Sequence, residues 1–508
     1  MVGIHMATSA IQMSYAKNVV SRTMHGTFQE LSFAARVRNV GFGKRVAFHW
    51  CGEDGVWTET PAEFRAALPD GDELWVADLA VPLTRDSAIP GNVQFAACLE
   101  HDGQKHWDSR GGQNYQADAD SGAIVFEPAD VLALGVASRL PDGLVSLPVE
   151  VAVRQALAPE AVIVHWTDDG WATQHAAPAY FRRNHWDRRI GSNARNPNRY
   201  GWGVWAARLP LRQAYRVEFA VECRTKTGAV WDNRGGLNHR AQRGTLKVLT
   251  LNLHTYQEEN QLEKFATIAR AIRERGIDLV CFQEVGEHWN DGAGDWASNA
   301  ARLINEQLPA PYHLHVDWSH LGFERFREGV AILSRHPFVF TDSGYVSDNQ
   351  DPYDIHSRKI VMAQVQVPYF GLVNVFSAHL SWPSGGFYPQ FERLQKWADD
   401  KQTPETTATL VCGDFNVPAG SEAYRHVVDS GEFEDQYLKI VAPPAFQKIF
   451  RERTGDAAAL LARDGRIDYL WLRRDDRLRA IAAEELFTPA RYGRVSDHAG
   501  YLVEFELR

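Results

Sequence analysis

Residues 245–285 read TLKVLTLNLHTYQEENQLEKFATIARAIRERGIDLVCFQEV. The run opens as a strand, since LKVLTLNL is short, apolar and rich in branched side chains. QLEKFATIARAIRER then places apolar residues at helical spacing, and Gly276 stands where a helix would stop. IDLVCFQEV is a second buried strand. Strand, helix and strand in this order point to a layered α/β domain. The same texture continues towards the C-terminus: GVAILSR, IVMAQVQVP, LVNVFSAHL and TLVCGDFN read as strands, and FERLQKWADD as a helix.

Towards the N-terminus the pattern changes and repeats. Residues 35–50, ARVRNVGFGKRVAFHW, are similar to 151–166, VAVRQALAPEAVIVHW. Each copy runs into a Gly/Asp turn and a tryptophan (Trp57, Trp171), then a strand-like NVQFAACLEHDG or RVEFAVECRTKTG. Each closes on WDSRGGQNY (from Trp107) or WDNRGGLNH (from Trp231). Short alternating runs between Gly, Asp and Pro turns predict an all-β sandwich for each copy. Trp50 and Trp166 are expected to fill the two sandwich cores. The resulting expectation is a multidomain chain: two all-β immunoglobulin-like sandwiches followed by a layered α/β domain. Residues 1–30 are expected as a disordered leader, 31–125 as the first sandwich and 126–145 as a linker. The second sandwich is expected over 146–244 and the α/β domain over 245–508.

Composition narrows the functional classes. With 44% hydrophobic and 23% charged residues the chain is globular rather than disordered. Lys and Arg total 54 against 64 Asp and Glu, a net charge of −10, which weighs against a nucleic-acid partner. Sixteen Trp suggest stacking surfaces as well as core. Five Cys without a CxxC pair argue against a thiolate zinc site, and Cys281 and Cys412 sit inside apolar runs. The N-terminus has no continuous apolar segment of the secretory kind and no run reaches a membrane span, so a soluble cytoplasmic protein is expected.

In the C-terminal half, polar residues recur where buried strands end: Asn252, Glu284, His379, Asp414, Asn416, Asp468, Asp497 and His498. Singly, each is more often a turn or cap residue than a catalyst. As a set that could meet at one sheet edge they suit a hard divalent cation, Mg²⁺ or Mn²⁺, bound by oxygen donors beside a phosphate ester. Such an ester needs its charge neutralised, a water aligned and a proton for the leaving oxygen.

The order LNLH, FQEV, SAHL, GDFN, RIDYL, SDH resembles the endonuclease/exonuclease/phosphatase superfamily. That resemblance implies a four-layered α/β sandwich for the C-terminal domain and in-line hydrolysis without a covalent intermediate. It implies that Asn252 and Glu284 are metal-site residues, with Asp497 close to the same cation. Asp414 and Asn416 would position or activate the attacking water, His379 would contact the phosphate, and Asp468 would orient His498. The segments between these blocks, with HSRKI and SAHLSWPSGGFYPQFERLQKW, are similar to a bacterial branch that includes maltose 6'-phosphate phosphatases. Arg327, Arg358 and Lys359 are candidate phosphate or sugar-phosphate contacts, with solvated surface charge as the competing reading. Trp382 either stacks on a sugar or packs.

The N-terminal copies resemble starch- and glycogen-binding modules of carbohydrate-binding family 21, chiefly in their closing WDNRGGLNH and WDSRGGQNY. The resemblance nominates Trp171, Trp231 and Asn238 in the second copy, and Trp57, Trp107, Asn114 and Tyr115 in the first, as sugar contacts. His239 stands where that family has its closing Tyr, and Arg110 and Arg234 where it has a second Asn. Together the halves imply a metal-dependent phosphomonoesterase acting on phosphorylated α-glucans or maltodextrins, with a glycogen- or starch-like polymer as partner. A phosphodiesterase, nuclease or sphingomyelinase-like hydrolase using the same residues is the alternative.

Overall fold

The computed structural model describes residues 9–41, 43–135, 138–182, 195–322, 324–441 and 465–508. The chain divides into two compact units, Met1–Arg243 and Gly244–Arg508, and most of the described structure is β-sheet.

The first unit holds two β-cores, the first of two facing sheets and the second of one eight-stranded sheet continuous through His175–Phe181. In one, a five-stranded sheet built on the hairpin Ile11–Thr23 and Gly26–Val37 faces a second sheet centred on Arg45–Cys51 and Val93–His101. Phe33, Phe48 and Phe95 meet between them, with ring centroids 5.6 and 4.8 Å from Phe33. The leader expected over 1–30 is therefore corrected: Ile11, Met13, Ala16 and Val19 are fully buried in a paired strand. IQMSYAKNVVSRT alternates apolar and polar residues as a strand does, and clustered methionines masked that period. Residues 1–8 lie outside the described residues.

In the second β-core Ser146–Arg154, Ala161–Thr167 and Arg216–Thr225 carry the buried apolar residues, with Trp166 buried as Trp50 is in the first. The linker expected over 126–145 is corrected as well. Val131–Leu134 pairs antiparallel with Ser146–Arg154 and adds an edge strand to that sheet. A small apolar cluster, including Tyr15, Val19 and Val76 with Ala152, Trp202 and Val204, joins the two β-cores.

The second unit is built from two six-stranded sheets. One contains Leu246–Asn252 and Leu279–His288, which pair in parallel, flanked by Gly500–Leu507 and Phe326–Ser334. The other contains Gly371–His379, Thr406–Asp414 and Asp468–Arg473 as neighbours. The helix Gln261–Arg275 buries Phe265, Ile268 and Ile272 against the first sheet and ends at Gly276 in the left-handed region. Phe387–Asp400 and Glu422–Asp429 bury Phe391, Leu394 and Tyr424 against the second. The facing sides of the sheets meet through buried Gln283, which donates to Ser377, whose hydroxyl donates to the Phe282 carbonyl. Parallel neighbours with helices between them run their C-terminal ends to one edge, where ligand sites of layered α/β folds gather. Among the described residues no helix is long and apolar enough to cross a membrane.

Candidate active site

The strand ends deliver the polar residues to one place. Asn252 closes its strand beside Gln283, and Glu284 follows in a bulge between Phe282 and Val285. Glu284 has φ +48°, a left-handed conformation uncommon for a residue with a side chain, and the bulge turns its carboxylate out of the ladder. His379 and Asp414 are register partners at the ends of parallel strands, and Asp414 is in turn paired with Asp468. Gly413 makes this approach possible: a Cβ there would lie 1.9 Å from the Ala378 carbonyl oxygen.

Hydrogen bonds then lock the set. Asn252 donates through Nδ2 to Glu284 (2.8 Å) and to Asp414 (3.1 Å), while its oxygen accepts the His254 N–H. Asp414 accepts the Asn416 N–H at 2.8 Å, and Asn416 donates to the Leu380 carbonyl. His498 Nδ1 lies 2.8 Å from Asp468, so that nitrogen carries the donated proton and Nε2 is left facing Asp414 at 3.8 Å. His379 Nε2 approaches the same Asp414 oxygen at 3.7 Å. Asn252, Asp414, Asn416 and Asp468 are all buried. Asp497 is half exposed, 3.5 Å from His254 Nδ1 and 4.0 Å from His498 Nε2.

The electrostatics follow from crowding. Burial, and then the neighbouring Asp468, push the Asp414 carboxyl up to about 7. Burial and the charge of Glu328 raise Glu284, and burial raises Asp468 against the pull of His498. Burial by itself would lower His498, but the bond to Asp468 and the charges of Asp468, Asp414 and Asp497 outweigh it and hold it at about 9. His379 is held well below its ordinary value by burial first, then by Arg358 and His320.

This donor set fits a divalent cation. Ligand atoms of Glu284, His379 and Asp414 lie within 4.8 Å of one another, and so do those of Asp414, Asp468 and His498. Asp468 Oδ1 is buried without a hydrogen-bond partner. Hard carboxylate oxygens are what Mg²⁺ or Mn²⁺ prefers, and a cation would relieve the repulsion that raises these acids. Glu284 is best placed to hold it, with Asp414 beside it. Asn252 presents its amide nitrogen to both carboxylates and acts here as the residue that orients them.

The remaining expectations divide. Arg358 is partly buried, and the charges of Glu328, Asp414 and Glu284 all act on its guanidinium. Lys359 points away, bonded to Asp317 at 3.1 Å and lying over Tyr345. Arg327 is likewise drawn off, to the Gly292 carbonyl, Glu287 and the face of Trp318. Trp382 is exposed just past His379. Strand alternation explains the case of Arg327, because it and Glu328 are neighbours on one strand and face opposite sides of the sheet. Sequence reading passed over Glu328 and buried His320, whose Nε2 lies 3.2 Å from Glu328. It also passed over His254, which bonds Glu258 at 2.7 Å and approaches Asp497. The signal available was position: Glu328 shares the strand Phe326–Ser334, which pairs directly with the Glu284 strand.

In the first unit Trp107 and Trp231 occupy equivalent positions. Both are about half exposed and lie against a histidine, His49 at 4.7 Å and His165 at 5.3 Å between ring centroids. Trp57 is also exposed, whereas Trp171 is partly buried with Nε1 donating to Glu218. Tyr115, expected at a sugar site, instead gives its hydroxyl to Asp108 and stacks on core Phe95. Asn114 and Asn238 are turn residues: each has positive φ and donates its N–H five residues back, to Ser109 and Asn233, at 2.8 Å.

Fold and site together bring carboxylates, amides and imidazoles to one set of converging strand ends. Residues 249–498 match the Endonuclease/Exonuclease/phosphatase family, and this part of the chain is a domain of that family. No match to the chain is found among the curated proteins. Among solved structures it is similar to an endonuclease/exonuclease/phosphatase family protein from Leptotrichia buccalis, with 26% identity and a TM-score of 0.43 over 52% of this chain and 100% of that one. A mannosyl-6-phosphatase from Bacteroides thetaiotaomicron is 16% identical, with a TM-score of 0.35 over 52% and 100% of the two chains. D. rerio TDP2 complexed with a single-strand DNA product is 15% identical, with a TM-score of 0.37 over 52% and 99%.

Proposed function

We propose that the protein is a metal-dependent phosphomonoesterase that removes phosphate from phosphorylated α-glucans or maltodextrins. On this reading its C-terminal unit is a four-layered α/β sandwich and its N-terminal immunoglobulin-like sandwiches bind the glucan. The observation that carries the reaction is the buried junction of Glu284, Asp414 and the Asp468–His498 pair, held together by Asn252. A bound Mg²⁺ supplies charge neutralisation at the phosphoryl oxygens. Asp414, fixed by the Asn416 N–H and by Asn252, holds the attacking water and takes its proton. Asp468 accepts from Nδ1 and holds His498 as the imidazolium, so that its Nε2–H is free to face the phosphoryl group, and His379 flanks the same oxygens. Arg358, which feels the charges of Glu328, Asp414 and Glu284, supplies the positive group.

The sugar assignment is supported by the repeated Trp107–His49 and Trp231–His165 surfaces, which offer a flat apolar face beside polar groups. Binding a polymer there raises the effective concentration of the tethered catalyst near its phosphates. The test is Mg²⁺-dependent phosphate release from maltose 6'-phosphate, phosphoglucan, a nucleoside monophosphate and plasmid DNA in parallel. Release from the two sugar esters is expected. Nicking of the plasmid with no phosphate from either sugar would replace this reading with the phosphodiesterase one.

A further inference from the structure

Beyond Glu284 its strand runs on to His288 and delivers Trp289 to the rim. Five residues at about 3.4 Å each put Trp289 at most about 17 Å from Glu284. Trp289 meets Trp318 edge to face, at 6.0 Å and 68°, and meets Tyr353 likewise, at 5.6 Å and 74°. Trp318 is braced from behind by Arg327, whose guanidinium lies 4.9 Å from its ring centre. Tyr353 is 65% exposed. The loop bearing it is pinned at Pro352, which accepts the Leu321 N–H at 2.7 Å, and ends at Arg358. One loop and one strand therefore each join the phosphate-side groups to these three rings.

We propose that Trp289, Trp318 and Tyr353 form an aromatic shelf that stacks the sugar rings of an oligosaccharide whose phosphate sits at Glu284, Asp414 and Arg358. This rests on the sugar-phosphate reading above and adds to it a preference for chain length. Two features select a sugar chain. Single-stranded nucleic acids are bound by aromatics lining a positive groove, but here the rim carries Asp291, Asp295, Asp351 and Asp354, while Arg327 is engaged with Glu287. Carboxylates repel a polyanion and accept hydrogen bonds from neutral hydroxyls. Trp289 also stands at 68° to Trp318 and at 74° to Tyr353, so its face and theirs point in different directions. That suits the successive rings of a bent chain better than a stack of parallel bases.

The experiment compares kcat/KM for glucose 6-phosphate with that for maltose and maltotriose phosphorylated at the terminal 6-position, in the full chain with Mg²⁺. The wild type should improve with length, mainly through KM. Tyr353→Ala should lose about tenfold of that gain and Tyr353→Phe should restore it. Exposure of Tyr353 predicts an unchanged melting temperature for both. Unphosphorylated maltooligosaccharides, tested as competitive inhibitors of the wild type, provide a readout that needs no variant, and inhibition should strengthen with length. Equal turnover of all three esters, with no length-dependent inhibition, would overturn the shelf and leave the phosphatase intact. No turnover of any sugar phosphate would overturn the underlying reading and the shelf with it. Inhibition by single-stranded DNA that Tyr353→Ala relieves would make the rings a base platform instead.

Discussion

Two sets of buried carboxylates lie in the C-terminal unit, and they are treated in opposite ways. Asp435 is met by the fork of Arg466, with nitrogen–oxygen distances of 3.2 and 2.7 Å. Both side chains are almost wholly buried, and Asp435 also accepts from the Tyr424 hydroxyl and the Leu438 N–H. Every lone pair that burial takes from water is replaced, as a buried ion pair requires. Asp414 and Asp468 are buried as well and Glu284 partly so, but they face one another, neutral amides, the His379 imidazole and the His498 imidazolium, with Arg358 as the nearby guanidinium. Folding has left negative charge over at one edge of the sheets and nowhere near Asp435. The difference separates a carboxylate kept for architecture from carboxylates kept for a cation.

The sharpest way to break this comparison is to remove one of the crowded acids. Glu284→Gln keeps the shape and the bond to Asn252 but deletes a charge. Mg²⁺-dependent phosphate release should fall on the order of a thousandfold. Mg²⁺ should raise the melting temperature of the wild type, because it binds the folded chain preferentially, and should do so far less in the variant. Activity within about threefold of wild type would mean that Glu284 is not a cation ligand.

The paired set should answer differently. Arg466→Leu strands Asp435 in the interior without its counter-charge, which should cost about 3–5 kcal/mol. In urea the midpoint for the C-terminal unit should drop with its slope unchanged. A loss below about 1 kcal/mol would place the pair with surface ion pairs and dissolve the contrast.

How much of this arrangement could be read from the sequence depends on which residues carried periodicity. The strands ending in Asn252, His379 and Asp414 were legible because each is a continuous apolar run with one polar residue at its end, a pattern that burial imposes. The buried Trp50 and Trp166 were legible from alternation. The hairpin Ile11–Thr23 and Gly26–Val37 was not, although IQMSYAKNV alternates, because clustered methionines mask the period and the strands that flank the hairpin, Gly122–Val125 and Glu73–Pro82, are distant in sequence. Arg327 and Lys359 look like phosphate ligands in a one-dimensional string, but the pleat turns Arg327 to the other face and Asp317 draws Lys359 away. His320 and Glu328 went unnoticed because their meeting is a cross-strand contact, fixed by register and not by spacing. The Glu284 bulge is invisible for the same reason, yet it aims the residue on which the site depends.

Asp476 separates burial from crowding, and the effect expected there is the smallest. It lies in the turn between Asp468–Arg473 and Leu478–Leu486, accepting the Thr409 N–H at 2.7 Å, and is 7% exposed. Burial pushes its carboxyl up to about 6 even though the Thr409 bond pulls it down. The folded chain therefore holds this proton more tightly than the unfolded chain. Below the ordinary carboxyl value both states are neutral there and nothing is lost. As pH rises towards 6 the unfolded chain ionises first, so stability falls, and above 6 the deficit stays constant. An asparagine side chain at this position can still accept from Thr409 but has no charge to desolvate. Asp476→Asn should match the wild type at pH 4 and melt a few degrees higher at pH 7. Mg²⁺ should move both proteins equally, since among the described residues Asp476 belongs to no cluster of ligand atoms that could hold it. A gap that closes when Mg²⁺ is added would mean that burial alone creates cation affinity, and the crowding of Glu284, Asp414 and Asp468 would then no longer explain the site.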